Sequence, residues 1–236
     1  MVIYLTIILI AAIFISSFNI LCNNMTSGFS PFWTICVVVL GVVIEIAIDG
    51  VLAAVIHALP SKWFNKDKKI FEVSRRERKF YEKLNIKNWK DRVAELGALG
   101  GFRKNKVKDA NDPKYLELFI VENNKGVTLH IAGMIFGFLI LLFPMPKYFL
   151  YIGLPIALVN VYLNLLSTMV LRYNIPKLKV ALQRAEKQAS LKQNSLNNDE
   201  KKLNEEIVDE KQNEEKEKIE NNTENNKGIE NLKDKK

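Results

Sequence analysis

The apolar and charged residues of this chain lie in separate blocks, and this segregation constrains the fold more than any other feature. Hydrophobic residues make up 48% of the chain and charged residues 25%, yet the two classes are not interleaved as an amphipathic soluble core requires. The block from Val2 to Leu21 has no charge, and the block from Phe32 to Leu59 has only Glu45, Asp49 and His57. Each block is long enough to cross a hydrocarbon core of about 30 Å. Two membrane-spanning helices are therefore predicted before residue 60.

Two further apolar blocks lie closer together, from Val127 to Phe143 and from Tyr148 to Leu171. Only the segment from Pro144 to Lys147 separates them, and its two prolines cannot continue a helix, so a tight helical hairpin is predicted. The third block is short for a span, which leaves a re-entrant hairpin as an alternative. A true span is favoured because the long fourth block needs a partner that brings the chain to the far side.

The distribution of charge predicts the orientation in the membrane. Between Ser61 and Val127 there are 18 Lys and Arg against 10 Asp and Glu, an excess equal to the whole net charge of +8. Lysine and arginine accumulate on the cytoplasmic side of membranes. We therefore expect a multi-pass cell-membrane protein with both termini in the cytoplasm. Membrane segments flank the basic loop, so it indicates attraction to anionic lipid head groups or an anionic acyl donor, and not to nucleic acid.

The predicted fold class is an all-α membrane protein with four transmembrane helices, a cytoplasmic interfacial loop and a disordered tail. Residues 1–60 hold the first two spans, 61–126 the basic loop, 127–187 the hairpin and 188–236 the tail. Within the loop, Ser74 to Leu84 has the spacing of an amphipathic helix, whereas Gly97, Gly100 and Gly101 indicate a turn. The tail is rich in Asn, Lys and Glu and lacks aromatic residues, which is typical of disorder with transient helix.

Glu45 and Asp49 are carboxylates inside a predicted span, where a charge costs at least about 2.5 kcal/mol. Their four-residue spacing puts them on one helix face. One interpretation is that this face packs inside the bundle against Asn160 and Asn164 of the fourth segment, with one carboxyl holding a proton. The other is a polar slot for a sugar, or a proton path. Cys22 and Cys36 lie in or beside apolar segments, so no metal site is predicted.

His130 begins the third apolar block, and Glu122 precedes it by eight residues. A neutral histidine can take a proton from a hydroxyl and return it to a leaving group, although an interfacial histidine is also a common polar anchor. On one uninterrupted helix, eight residues correspond to about 12 Å. Glu122 therefore contacts His130 only if the helix breaks at Gly126; otherwise it binds substrate or orients another group.

Polar and aromatic residues follow the fourth block, in the sequence Arg172, Tyr173, Asn174. An interfacial belt of positive residues and tyrosine explains them without a function. Pro176 is expected to end or bend the helix there, which would turn these groups into a cleft suited to a phosphate or an oxyanion.

Three stretches resemble the glycosyl-4,4'-diaponeurosporenoate acyltransferases, small membrane enzymes of staphyloxanthin-type carotenoid biosynthesis. They are Asn88-Trp89-Lys90-Asp91-Arg92, the pair Glu122 and His130, and Leu171-Arg172-Tyr173-Asn174-Ile175-Pro176-Lys177-Leu178. The last is similar to the family's Gln-Arg-Tyr-Asn-Arg-Pro-Arg-Leu element. Where the family commonly has a second glutamate three residues before the histidine, this chain has Val127.

The resemblance implies transfer of a fatty acyl group to a sugar hydroxyl of a glycosylated lipid. The implied reaction needs no bound cofactor and uses acyl-CoA or a similar acyl donor as co-substrate. The catalytic residues would be His130, as general base, and Glu122. The expected substrate-binding residues are Arg172, Tyr173, Asn174, Trp89 and Lys90. Two other hypotheses are a proton or solute pathway through Glu45 and Asp49, and a structural partner subunit.

Overall fold

The computed structural model of the chain describes residues 2–23, 25–93, 109–142 and 146–233, and the regular structure in these ranges is helical. Its α-helices are α1 (Val2–Leu21), α2 (Pro31–Ala58), α3 (Arg75–Lys83), α4 (Ile86–Trp89), α5 (Pro113–Phe136), α6 (Pro146–Tyr148) and α7 (Leu154–Lys233). Four stretches in these ranges are long and apolar enough to cross a membrane: Tyr4–Leu21, Pro31–Ala58, Pro113–Leu142 and Phe149–Asn198. The predicted all-α fold with four spans is confirmed.

The first two spans begin and end where the sequence predicts. Helix α1 matches the charge-free block, and α2 begins at Pro31, one residue before the predicted block, because a proline at the first helical position has a suitable φ and no amide hydrogen to lose. Large apolar side chains of both helices are exposed, among them Phe14 at 70% and Val51 at 63%. Such exposure is compatible with a hydrocarbon environment and unfavourable in water.

The third span differs from its prediction because its helix starts fourteen residues before Val127. Asp112 caps α5, accepting a hydrogen bond from Lys114 N at 2.9 Å, and Pro113 occupies the first turn. The helix then runs through the polar stretch 122–126 and continues as a 3₁₀ segment, Gly137–Leu142. Tertiary partners for its polar side chains let the helix continue: Asn124 Nδ2, for example, donates to Phe64 O at 2.8 Å. The result is a 30-residue span, long enough to cross fully.

Helices α2, α5 and α7 pack side by side, and α1 packs along α2 and α7. At one end of the bundle Ile15 and Val38 pack with Ile140 and Ile156. Toward the other end, Val127 of α5 packs with Leu171 of α7 and Ile56 of α2. The predicted turn before α6 lies largely outside the described residues, since 143–145 are not described; a π-helical turn, Phe149–Gly153, leads into α7.

Pro176 was expected to end or bend the last span, and this prediction is wrong about termination. Helix α7 continues through Pro176, although an internal proline removes a hydrogen bond and costs about 3 kcal/mol. The neighbouring turns are held by tertiary packing, since Tyr173 is 3% exposed and Ile175 1% exposed. Burial of these side chains offsets the lost hydrogen bond.

The basic loop folds against the membrane helices in its described part, up to Val93. The predicted amphipathic helix is confirmed as α3, which Ser74 caps by accepting from Glu77 N at 3.1 Å. Tyr81 is buried with Ile86 of α4 against Val170 and Tyr173 of α7. The glycine-rich turn at Gly97, Gly100 and Gly101 lies outside the described residues.

The molecule divides into two units, 1–185 and 186–236. In the second unit the chain is helical to Lys233, whereas composition predicted disorder with only transient helix. The side chains from Glu186 to Asn198 are all exposed. Glutamate and lysine are good helix formers and pair at helical spacing, so over residues 186–198 the helix rests on local propensity without a buried apolar face.

Candidate active site

A polar layer crosses the interior of the bundle where three pairs of residues, each spaced by four, face one another. Helix α2 contributes Glu45 and Asp49, α5 and its 3₁₀ extension contribute Gly133 and Gly137, and α7 contributes Asn160 and Asn164. Four-residue spacing places both members of each pair on one helix face. These contacts agree with one of the two interpretations of the sequence, in which this face of α2 packs against Asn160 and Asn164.

Hydrogen bonds connect the members of this layer. Asn160 Nδ2 donates to Glu45 Oε2 at 3.0 Å, and Asn164 Nδ2 donates to Asn160 Oδ1 at 2.7 Å. The Asn164 side chain also interacts with the Asp49 carboxylate. Glu45 Oε1 and Asp49 Oδ1 are buried and accept no hydrogen bond from the described residues. These two oxygens can each accept a proton, or a hydrogen bond from a hydroxyl group.

Glycines in α5 and its 3₁₀ extension make room for the layer. A Cβ atom on Gly137 would lie 2.3 Å from Asn160 Nδ2, and one on Gly133 would lie 2.9 Å from Asp49 Oδ1. The missing side chains let polar groups of α2 and α7 meet across the surface of α5. Small residues four apart serve the same purpose in other membrane helix pairs.

His130 is attached to this layer through Asn164. Its Nδ1 lies 2.7 Å from Asn164 Oδ1. Because the Asn164 amide nitrogen donates to Asn160, its oxygen faces the imidazole as an acceptor, and Nδ1 of a neutral ring must carry the proton. The Nε2 atom then holds the basic lone pair. This tautomer and a fixed ring orientation are what a general base requires.

Glu122 does not reach His130, because α5 is continuous through Gly126 and keeps them more than two turns apart. Its carboxylate instead contacts two other groups: Oε2 lies 3.5 Å from His57 Nδ1 of α2, and Oε1 accepts from Lys125 Nζ at 3.1 Å. Lys125 is buried and His57 is 56% exposed. Glu122 therefore pairs with His57 and Lys125 and not with His130.

Arg172 is bound on several sides by the interfacial loop. Its guanidinium makes a two-pronged ion pair with Glu77, with Nη2 to Oε2 at 3.0 Å, and donates to the carbonyl oxygens of Ile70 and Glu72. Tyr81 Oη donates to the same carboxylate at 2.6 Å. We call this group the arginine clamp. Bidentate pairs are strong and geometrically specific, so the clamp ties the loop to α7 in one orientation.

The clamp makes a testable contribution to stability. The hydrogen bond from Arg172 holds the pKa of Glu77 below its ordinary value. The stabilisation is therefore complete above the ordinary glutamate pKa and is lost as pH falls through the lowered one. We expect Glu77→Gln to lower the free energy of unfolding by about 1–3 kcal/mol and to increase protease cleavage within residues 61–93 at neutral pH.

An exposed ion pair supplies the control for this experiment. Arg78 and Glu82 form an i,i+4 pair at 3.3 Å on the surface of α3. Glu82→Gln should change stability by no more than about 0.5 kcal/mol. Equal cleavage rates in the Glu77 and Glu82 variants would contradict the role assigned to the clamp.

The remaining predicted binding residues lie on α7 and on the loop segment that packs against it. Tyr173 is buried with its ring edge-on to Tyr81, and Asn174 is partly buried on the next position. Trp89 Nε1 donates to Leu84 O at 2.9 Å, and its ring lines an apolar groove. Lys90 contacts Asp91 at 3.2 Å. Tyr173 and Trp89 pack in the cluster that contains Tyr81 of the clamp, whereas His130 belongs to the separate polar layer.

Several contacts in these sites were not predicted from the sequence. The partners Glu77, His57 and Lys125 were not identified, because each pairing depends on how distant segments meet. The spacing Gly133-x-x-x-Gly137 was a usable signal, since small residues four apart in an apolar segment mark a close helix contact.

The family comparison matches the part of the chain that carries most of this geometry. The family model described as glycosyl-4,4'-diaponeurosporenoate acyltransferase matches residues 60–184, more than half of the chain. The match contains His130, both asparagines and the arginine clamp, whereas Glu45, Asp49 and His57 precede it. Comparisons with curated proteins and with solved structures gave no match. The chain belongs to the glycosyl-4,4'-diaponeurosporenoate acyltransferase family, a family of acyltransferases in carotenoid biosynthesis.

Proposed function

We propose that this protein esterifies a hydroxyl group of a glycosylated membrane lipid with a fatty acyl group. The observation that carries the proposal is the hydrogen bond from His130 Nδ1 to Asn164 Oδ1, which gives a base of defined tautomer inside a bundle of four apolar helices. The family membership supplies the reaction type. The four apolar spans support a position in the bilayer, which is the solvent of a lipid acceptor.

In the proposed reaction, His130 Nε2 takes the proton of the acceptor hydroxyl as its oxygen bonds to the acyl carbonyl carbon. The carbonyl oxygen becomes an oxyanion, then the bond from carbon to the donor's leaving group breaks. With a thioester donor, the leaving sulfur receives the proton that His130 took. The product is an ester and a free thiol, and His130 returns to its starting form. Asn164 stabilises the imidazolium by accepting from Nδ1 throughout.

The other predicted residues take positioning and binding roles in this proposal. Glu122, held by His57 and Lys125, orients groups at the end of α2 near the acceptor. Arg172 positions the loop through Glu77, because a phosphate would have to displace that carboxylate first. Trp89 and Lys90, on the loop that the clamp positions, bind the substrates together with Tyr173 and Asn174.

The proposal includes an orientation in the cell membrane with both termini in the cytoplasm. The excess of lysine and arginine in residues 61–127 supports it. In this orientation the loop and the end of α2 at His57 meet a water-soluble acyl donor on the cytoplasmic surface.

The test of this function is a comparison of lipid extracts from cells with and without the gene, supplied with a glycosylated carotenoid. We expect an acylated glycolipid, heavier than the acceptor by the mass of one fatty acid less one water, only in cells with the intact gene. Mass spectrometry of the extracts checks this. An identical lipid profile in both cell types would contradict the proposal.

One observation favours a second candidate, transport of protons or a small solute through Glu45 and Asp49. Both acids are inside the bundle, and each keeps an oxygen with no hydrogen bond from the described residues. Proteoliposomes distinguish the candidates. A proton flux that Glu45→Gln with Asp49→Asn abolishes, and that His130→Gln leaves intact, supports transport. Absence of flux together with acyl transfer supports the enzyme.

A further inference from the structure

An apolar groove of about 420 Å³ lies between α1, α7 and the segment from Leu84 to Val93. Its walls include Tyr4 and Ile7 of α1, Tyr162, Leu165 and Met169 of α7, and Trp89 of the loop. Arg92 is the charged residue of its lining. A groove of this size and composition is typical of sites for apolar ligands with a few oriented polar groups.

A group of cations lies beside this groove. Lys177 is within electrostatic reach of Lys87, Lys90 and Arg78. Its Nζ atom is 4.6 Å from the centre of the Tyr173 ring. We call these four residues the cationic patch. Asp91 contacts Lys90 and Glu82 contacts Arg78, so the patch keeps a net excess of two positive charges.

The groove and the cationic patch are adjoining. Trp89, Val93 and Met169 line the groove, and the same three residues pack against the buried cluster that contains Tyr173. Lys177 covers the Tyr173 ring in that cluster. An apolar chain in the groove would therefore have its head group at the patch.

We propose that the groove and the cationic patch together bind the acyl donor, with the fatty chain in the groove and a phosphate-bearing head on the patch. This inference rests on the proposed function, since it assigns a site to one of its two substrates. Tyr4 in the groove wall is within electrostatic reach of Asp49 and Glu45 of the polar layer. Two sources have this chemistry, a soluble acyl-CoA and an anionic phospholipid of the membrane.

The test is direct binding of a long-chain acyl-CoA to the full-length protein in phosphatidylcholine nanodiscs, without acceptor. Replacing Lys87, Lys90 and Lys177 together with glutamine should weaken binding at least tenfold, because each cation near a membrane surface contributes a several-fold factor. Met169→Trp should weaken it about tenfold by filling the groove. Leu165→Trp, at a more exposed position of the same wall, makes the same test if Met169→Trp fails to fold.

Matched controls come from exposed residues that belong neither to the groove lining nor to the cationic patch. Lys187→Gln with Lys192→Gln removes two exposed charges of the second unit, and Leu158→Trp adds the same bulk on an exposed part of α7. Both should bind acyl-CoA as the parent does. Unchanged affinity in the patch and groove variants would overturn the proposal. Equal affinity for CoA without its acyl chain would overturn the role of the groove.

The source of the donor is decided by competition. If phosphatidylglycerol in the nanodiscs displaces acyl-CoA from the parent but not from the patch variant, the site is supported and its donor is a phospholipid. If it does not displace acyl-CoA, the donor is the soluble thioester. Donor binding is measured without turnover, so it does not depend on the proposed reaction. A His130→Gln variant with full activity, for instance, would contradict that reaction and leave the binding result unchanged.

Discussion

His130→Gln is expected to lower the kcat for acyl transfer by about 10²- to 10⁴-fold, the range that general-base catalysis contributes. Glutamine keeps a polar side chain that can donate to Asn164 Oδ1, so the polar layer stays hydrogen-bonded, but an amide has no basic lone pair to accept the hydroxyl proton. The KM for both substrates should change little. Initial rates with the purified variant in nanodiscs check this.

The control for this experiment is Leu118→Gln in the same helix. Leu118 is 57% exposed near the start of α5, far from the polar layer, so this variant should keep the parent rate. Both variants should reach the membrane in equal amounts and melt at similar temperatures. A His130→Gln variant that transfers acyl groups at the parent rate would show that His130 is only a structural member of the layer.

Gly137→Ala is expected to destabilise the protein by about 1–3 kcal/mol, the usual cost of overpacking a filled core. The added Cβ would lie 2.3 Å from Asn160 Nδ2 and 3.1 Å from Glu45 Oε2. Either the asparagine moves and releases the buried carboxylate, or the helices separate. The Tm in detergent should fall, and acyl transfer should fall with it, because Asn160 holds Asn164 and Asn164 orients His130.

Gly50→Ala gives this experiment its matched control. A Cβ on Gly50, in the neighbouring helix α2, meets nothing within 4 Å. Alanine has a higher helix propensity than glycine, so this variant should be as stable as the parent or more stable by up to about 1 kcal/mol. If both alanine variants melt at the parent's Tm, close packing of α5 against the polar layer is not what stabilises the bundle.

Local patterns predicted much of the fold. Charge-free length identified α1 and α2 almost to the residue, because a hydrocarbon core sets a minimum run of apolar residues. The predicted third span begins too late, since the polar residues 122–126 look like the boundary before an apolar block. Only the partners of Asn124 and its neighbours, supplied by other segments, show why the helix continues through them.

The candidate site was predictable wherever one helix face carried the information. Spacing by four aligned Glu45 with Asp49 and suggested their contact with Asn160 and Asn164. Nothing local pairs Glu122 with His57 or Arg172 with Glu77, because those contacts join segments 65 and 95 residues apart.

The sequence by itself determined the membrane environment, the helical class and the residues able to carry chemistry, since these follow from composition and period along one segment. The tertiary structure alone decided that His130 is oriented by Asn164, that Glu122 serves a different histidine and that Arg172 holds the loop. The physical reason is register: which turn of one helix meets which turn of another depends on packing around Gly133 and Gly137, and no periodicity within a single helix encodes that choice.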